Sequence, residues 1–194
     1  MRTSRMYDSY GQAQRAVETL ETAGFTSSEV SLISRYRDDN TLADDASGTG
    51  AATGAIAGAL IGGGTGLLTA LGIIAILGLG PLVAAGALAT TLAGAAGGSL
   101  VGGLLGALTG SGVSEDEANF YAEGVRRGGS VIVVKAEDTR AAMAEQILNA
   151  EGAVDVGQRR RVYTDEGWSG YDPSAKGMTA DEIRRERDRY LRNP

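Results

Sequence analysis

Hydrophobic positions recur with strand and helix periods on either side of a long window that carries no charge at all. Residues 5–7 are a short strand candidate, followed by Asp8 or Ser9 as an N-cap. Over residues 10–23, Ala13, Ala16, Val17 and Leu20 fall on one face of a helix, and Gly24 stands where a C′ glycine ends one. Residues 30–34, VSLIS, alternate as a half-buried strand does. Beyond the window, Ser114 and Glu117 have capping-box spacing and open a helix with Ala118, Tyr121, Ala122 and Val125 on one side. Gly128 and Gly129 stop it. Residues 130–134, SVIVV, are β-branched as a central strand is. Residues 139–150 predict a helix with Ala142, Met143, Ile147 and Leu148 on its apolar side, Gly152 ends it, and residues 153–156 predict the last strand.

The window itself, residues 46–114, is 69 residues long, and 20 of the 30 glycines lie in residues 48–112. Ten of them keep a period of four: Gly50, Gly54, Gly58, Gly62 and Gly66, then Gly94, Gly98, Gly102, Gly106 and Gly110. Each glycine in a helix interior costs about 1 kcal/mol against alanine, so a regular series needs a reason, and close approach of helix backbones supplies one. Gly78, Gly80 and Pro81 mark a turn between the two blocks. The pattern predicts an antiparallel hairpin of two Gly/Ala helices, each arm of about 28 residues reaching roughly 42 Å, enough to cross a hydrocarbon core of about 30 Å. A step of four overshoots a turn by about 40°, so each stripe winds around its helix and offers contact to more than one partner.

Without the window, the order is strand, helix, strand, helix, strand, helix, strand. That order predicts an α+β, ferredoxin-like split βαβ domain, interrupted by the hairpin and followed by a charged helical tail. The expected divisions are 1–45 and 114–157 for the two halves of the domain, 46–113 for the hairpin and 158–194 for the tail. Both halves must meet in one sheet, so both ends of the hairpin lie on the same side of any membrane. In the tail, Thr179 and Glu182 repeat the capping-box spacing ahead of a mostly charged helix, read as solvated or as a docking arm using Ile183, Tyr190 and Leu191.

Composition narrows the chemistry. Cysteine and histidine are both absent, which removes thiol nucleophiles, thiolate metal sites and the commonest general base. A net charge of −6 argues against nucleic acid as a partner. The run from Gly48 through Gly50 to Gly54 misses the dinucleotide fingerprint by one residue, and no acidic residue follows about 20 positions later. Asp38, Asp39, Asp44 and Asp45, with Glu115, Asp116 and Glu117, could hold a divalent cation, although loop charges and a helix N-terminus account for them better. Arg159–Arg161 read as a solvated strand exit. No catalytic, cofactor-binding or metal residue is assigned, and no small-molecule substrate is identified. The first residues contain no apolar leader segment, so a cytoplasmic location is expected.

Two stretches, YDSYGQAQRAVETLETAGFTSSEVSLISR and GVSEDEANFYAEGVRRGGSVIVVKAED, with the closing EGAVDVGQRR and the Gly-rich insert between, resemble the bacterial heat-induced general stress protein family over residues 1–161. The resemblance implies a cytoplasm-facing ferredoxin-like domain, a role in stress and no enzymatic residues. Together these readings lead to the expectation of a non-enzymatic protein that homo-oligomerises through its glycine stripes and associates with membrane lipid at the cytoplasmic face of the inner membrane. A soluble cytoplasmic assembly, or a small-ligand sensor using an open sheet face, is the alternative.

Overall fold

The computed structural model of the chain describes residues 1–35, 72–76, 80–96 and 103–192. Strands β1 (Arg2–Tyr7), β2 (Val30–Ser34), β3 (Gly72–Ile76), β4 (Gly80–Ala85) and β5 (Ser130–Lys135) form one antiparallel sheet in the order β1-β5-β2-β4-β3. The helices are α1 (Tyr10–Thr22), α2 (Ala87–Ala96), α3 (Gly103–Gly110), α4 (Glu115–Arg126), α5 (Asp138–Ala150), α6 (Val156–Asp165) and α7 (Ala180–Arg192). The class is α+β.

Strand β5 runs between β1 and β2 and is antiparallel to both, with Tyr7 and Ser34 each opposite Ser130. Its β-branched run suits a position buried from both sides. Val131 and Val133 enter one core with Met6, Ile33 and Phe120, while Ile132 and Val134 enter the other with Tyr7, Val17 and Leu20. Helices α1 and α5 cover the second face; α2, α3 and α4, joined by Tyr163 of α6 and Tyr190 of α7, cover the first. Each fully buried Val, Leu, Ile or Phe contributes about 1.5–3 kcal/mol.

This layering corrects several expectations. VSLIS is buried along its whole length instead of alternating, because helices lie on both sides of β2. Its serines find partners inside the core: Ser34 Oγ lies 2.8 Å from Ser130 Oγ across the ladder, and Ser31 Oγ accepts the Leu88 N–H at 3.4 Å. The sheet face expected to be open for a ligand is covered along β1, β5, β2 and β4. Residues 153–156 do not form a strand: Val154 N–H makes a single backbone bond to Met6 O at 2.8 Å, and Val156 already opens α6.

The window also differs from a pair of long helices. Residues 72–76 and 80–85 are strands, and α2 and α3 are only 10 and 8 residues long. No described helix is long and apolar enough to cross a membrane. Leu82, Leu88, Leu92, Leu104 and Leu108 are buried in the core shared with α4, so the described part of 46–113 is built into the sheet and its covering layer. Gly86 makes the β4-to-α2 turn possible. Its φ is +76°, and a Cβ there would fall 2.1 Å from Val30 O.

Helix ends follow the sequence closely. Ser9 Oγ accepts from Gln12 N–H at 3.2 Å, Glu117 N–H donates to Ser114 Oγ at 3.3 Å, and Thr179 N–H donates to Glu182 Oε2 at 2.6 Å.

Candidate functional site

Among the expected packing glycines, Gly50, Gly54, Gly58, Gly62, Gly66, Gly98 and Gly102 lie outside the described residues. Gly94 is in α2, and Gly106 and Gly110 are in α3. Helix α3 turns Leu104, Ala107 and Leu108 into the core and leaves Gly106 and Gly110 on its exposed side, where an added Cβ would meet nothing within 4 Å. These two glycines are therefore not used for close packing against the described residues.

The densest chemistry lies elsewhere, where the tail meets the C-terminal end of α4. Glu123, 2% exposed, accepts a two-pronged bond from Arg126 at 2.5 and 2.8 Å and a bond from Arg127 Nε at 2.7 Å. The sequence spacing of three and four residues places both arginines beside this carboxylate. Arg127 reaches onward to Glu166 at 2.5 Å and Glu186 at 2.7 Å, and Arg189 pairs with the same two glutamates. Arg159 grips Asp8 with bonds of 2.6 and 2.9 Å, and its guanidinium lies 3.5 Å above the Tyr190 ring. Tyr190 donates its hydroxyl proton to Glu186.

Electrostatically, burial would raise the Glu123 carboxyl, but the hydrogen bonds from Arg126 and Arg127 outweigh it and hold the group below the ordinary 4.5. Glu166 is lowered in the same way, with Arg189 and Arg127 overcoming its burial. Burial pushes the Tyr163 phenol up to about 12, against the opposing charges of Arg159 and Arg127. Tyr190 is raised by burial, by Tyr163 and by its bond to Glu186.

A cavity of about 10 Å³ remains between Met6, Asp8, Gly124, Tyr163, Ile183 and Tyr190, room for roughly one water. That volume admits no substrate, and every carboxylate around it is tied to an arginine. The cluster acts as a lock that seats the tail on the sheet. Arg35 extends it, donating to Arg126 O at 2.8 Å and Met178 O at 2.6 Å, and so fixes the loop before α7.

The expectation of a solvated strand exit at Arg159–Arg161 is thereby corrected: the three lie on α6, Arg159 is buried and Arg160 pairs with Asp116 at 2.9 Å, while Arg161 is exposed. Of the docking residues expected in the tail, Ile183 and Tyr190 are buried, at 4% and 7% exposure. The side chain of Leu191 lies outside the described residues. Asp8, legible only as a helix cap, is instead the partner of Arg159, and Tyr163 carried no pattern that marked it. Asp38, Asp39, Asp44 and Asp45 lie outside the described residues, and no group of carboxylates that could hold a metal occurs among the rest. No family model, curated protein or solved structure matches the chain.

Proposed function

We propose that the chain is a non-enzymatic, stress-associated protein that self-associates through its Gly-rich segment and adheres to membrane lipid from the cytoplasmic side. Its scaffold is a ferredoxin-like split βαβ domain. The placement of β5 between β1 and β2, antiparallel to both, supports that scaffold, as does the Val154–Met6 bond where a fourth strand would add to β1. The stress role rests on the resemblance of residues 1–161 to the general stress proteins.

One observation carries the self-association: the glycine side of α3 faces away from its own core. A helix surface without side chains gains contact only when another backbone or lipid approaches it closely. The buried leucines of α2 and α3 favour a second version, in which assembly is soluble, because those apolar groups are already used within the chain.

Purified full-length chain, sized by light scattering with and without vesicles, tests both. Gly106→Leu/Gly110→Leu is expected to reduce particle size while leaving the circular dichroism spectrum and melting temperature unchanged. A wild-type monomer that binds no lipid would sink the proposal, and unchanged assembly in the double variant would remove the glycine face from it.

A further inference from the structure

A second surface places charge beside the uncharged window. Arg2 and Lys135 stand directly opposite each other in the β1–β5 ladder. Like charges in that position repel across the strands. Both side chains are exposed, and neither has a carboxylate partner among the described residues. The Arg2 guanidinium folds over Gly112, where Nη1 occupies the space a Cβ would need, at 1.8 Å from it. Arg2 and Lys135, with Ser28, Glu29, Gly112 and Glu137, line an open groove of about 720 Å³.

Of the two acids that line the groove, Glu29 is committed elsewhere. Glu29 is held by Arg140 at 2.8 Å and by the Thr26 N–H at 2.8 Å, and Asp138 beside it accepts from the Met1 amino nitrogen at 3.0 Å. Glu137 also lines the groove, at the N-cap position of α5, where its side chain makes no capping bond.

We propose that Arg2 and Lys135 seat the phosphate of an anionic phospholipid headgroup, an inference that rests on the lipid reading above and gives it a recognition site. Position favours a headgroup. Gly112 is the last glycine of the uncharged window, so Arg2 lies against the point in the chain where uncharged sequence gives way to charged. The window's sequence neighbours supply no such cations; the fold brings Arg2 to Gly112 from the first strand, more than half the chain away. A polar groove with two cations that lack a carboxylate partner among the described residues also suits a molecule with a net charge of −6, since attraction to an anionic surface must then be local.

Cosedimentation of the full-length chain with phosphatidylglycerol-containing and phosphatidylcholine-only vesicles tests the site. Wild type is expected to prefer the anionic vesicles. Arg2→Gln/Lys135→Gln should weaken that binding about 30-fold, the worth of two basic groups near an anionic surface. Arg2→Lys/Lys135→Arg should retain it, and Glu137→Gln should strengthen it about fivefold. Equal binding to both vesicles, unaffected by the double Gln variant, would overturn the site and leave the lipid reading standing. No binding to either overturns both. Equal loss in the Gln and the charge-conserving variants would show that charge is not the cause. Inorganic phosphate should displace the chain from anionic vesicles more strongly than sodium chloride at equal ionic strength, because it competes for the same cation pair; phosphate that binds the chain while anionic vesicles hold no advantage would make the ligand free phosphate, and the headgroup assignment falls.

Discussion

Replacing Gly128 with alanine perturbs the joint between sheet domain and tail at a single atom. The backbone there has φ +93°, and a Cβ would lie 2.2 Å from Ile183 Cγ2 and 3.0 Å from Cγ1. Two separable costs follow. A left-handed conformation costs a non-glycine residue roughly 1–2 kcal/mol, and overpacking against Ile183 adds about 1–3 kcal/mol. Ile183→Ala alone opens a hole beneath α7 and costs about 2–5 kcal/mol. In the double variant the new methyl group occupies part of that hole, so only the backbone strain of Gly128→Ala should remain. The double variant is therefore expected to be more stable than the sum of the two changes by about 1–3 kcal/mol. Urea unfolding measures this, followed both by far-ultraviolet circular dichroism and by fluorescence of Trp168, the chain's one tryptophan, whose ring lies 6.0 Å from Tyr163. Strict additivity, or a cost below about 1 kcal/mol for Gly128→Ala, would refute the seating of Ile183 on Gly128. Transitions that separate between the two probes would show α7 melting apart from the sheet.

Glu123→Gln leaves Arg126 and Arg127 facing a neutral group and should cost about 3–5 kcal/mol at neutral pH by thermal or urea unfolding. Because the folded Glu123 carboxyl lies below its ordinary 4.5, its contribution is complete above that pH and is lost as pH falls below it. Wild type should therefore lose stability in acid more steeply than the Gln variant, and parallel acid limbs would contradict the buried pairing. At the alkaline end, the Tyr163 phenol ordinarily titrates at 10.0 and is pushed up to about 12, so stability should fall as pH rises between those values, less so in Tyr163→Phe. A chain ending at Arg161 loses Tyr163, Ile183 and Tyr190 from the core and should be destabilised by at least about 4 kcal/mol; a melting curve matching the full chain would make the tail dispensable. Gly86→Ala forces a Cβ to 2.1 Å from Val30 O and should cost more than about 3 kcal/mol, whereas a neutral result would mean that β4 and α2 stand apart from the cooperative core.

Local signals were legible in the sequence, and long-range ones were not. Ser9, Ser114 and Thr179 announce their helices because a cap is a contact three residues long, and β5 announces itself because β-branched residues fill both of its faces. VSLIS misled because burial of Ser31 and Ser34 depends on partners 57 and 96 residues away. The four-residue glycine period suggests continuous helices, yet Ile73, Ile74 and Ile76 suit β3 at the edge of the sheet, and Pro81 is tolerated in β4 because it lies outside the stretch that pairs with β2. Helix α6 is hidden in the sequence because Arg159 and Arg160 look solvent-bound, as an exit from a strand at 153–156, until Asp8 and Asp116 are brought to them. The Glu123, Arg126 and Arg127 triplet carried a visible helical spacing; what it holds, the tail from Glu166 onward, could not be inferred from it.

The placing of β5 between β1 and β2 has a consequence for synthesis. Strand β2 ends at Ser34, whose ladder partner Ser130 is 96 residues downstream. Closing a flexible loop of that length costs about 4 kcal/mol in chain entropy, which β5 must offset when it arrives. At a translation rate of about 5–20 residues per second, β1 and β2 wait roughly 5–20 s for the strand that separates them, while the entire uncharged window emerges. During that interval β1 has no partner and β2 can pair only with β4, so both strand edges that β5 will join stay open beside the chain's most apolar segment, and the ribosome-bound stage is its period of greatest exposure to aggregation.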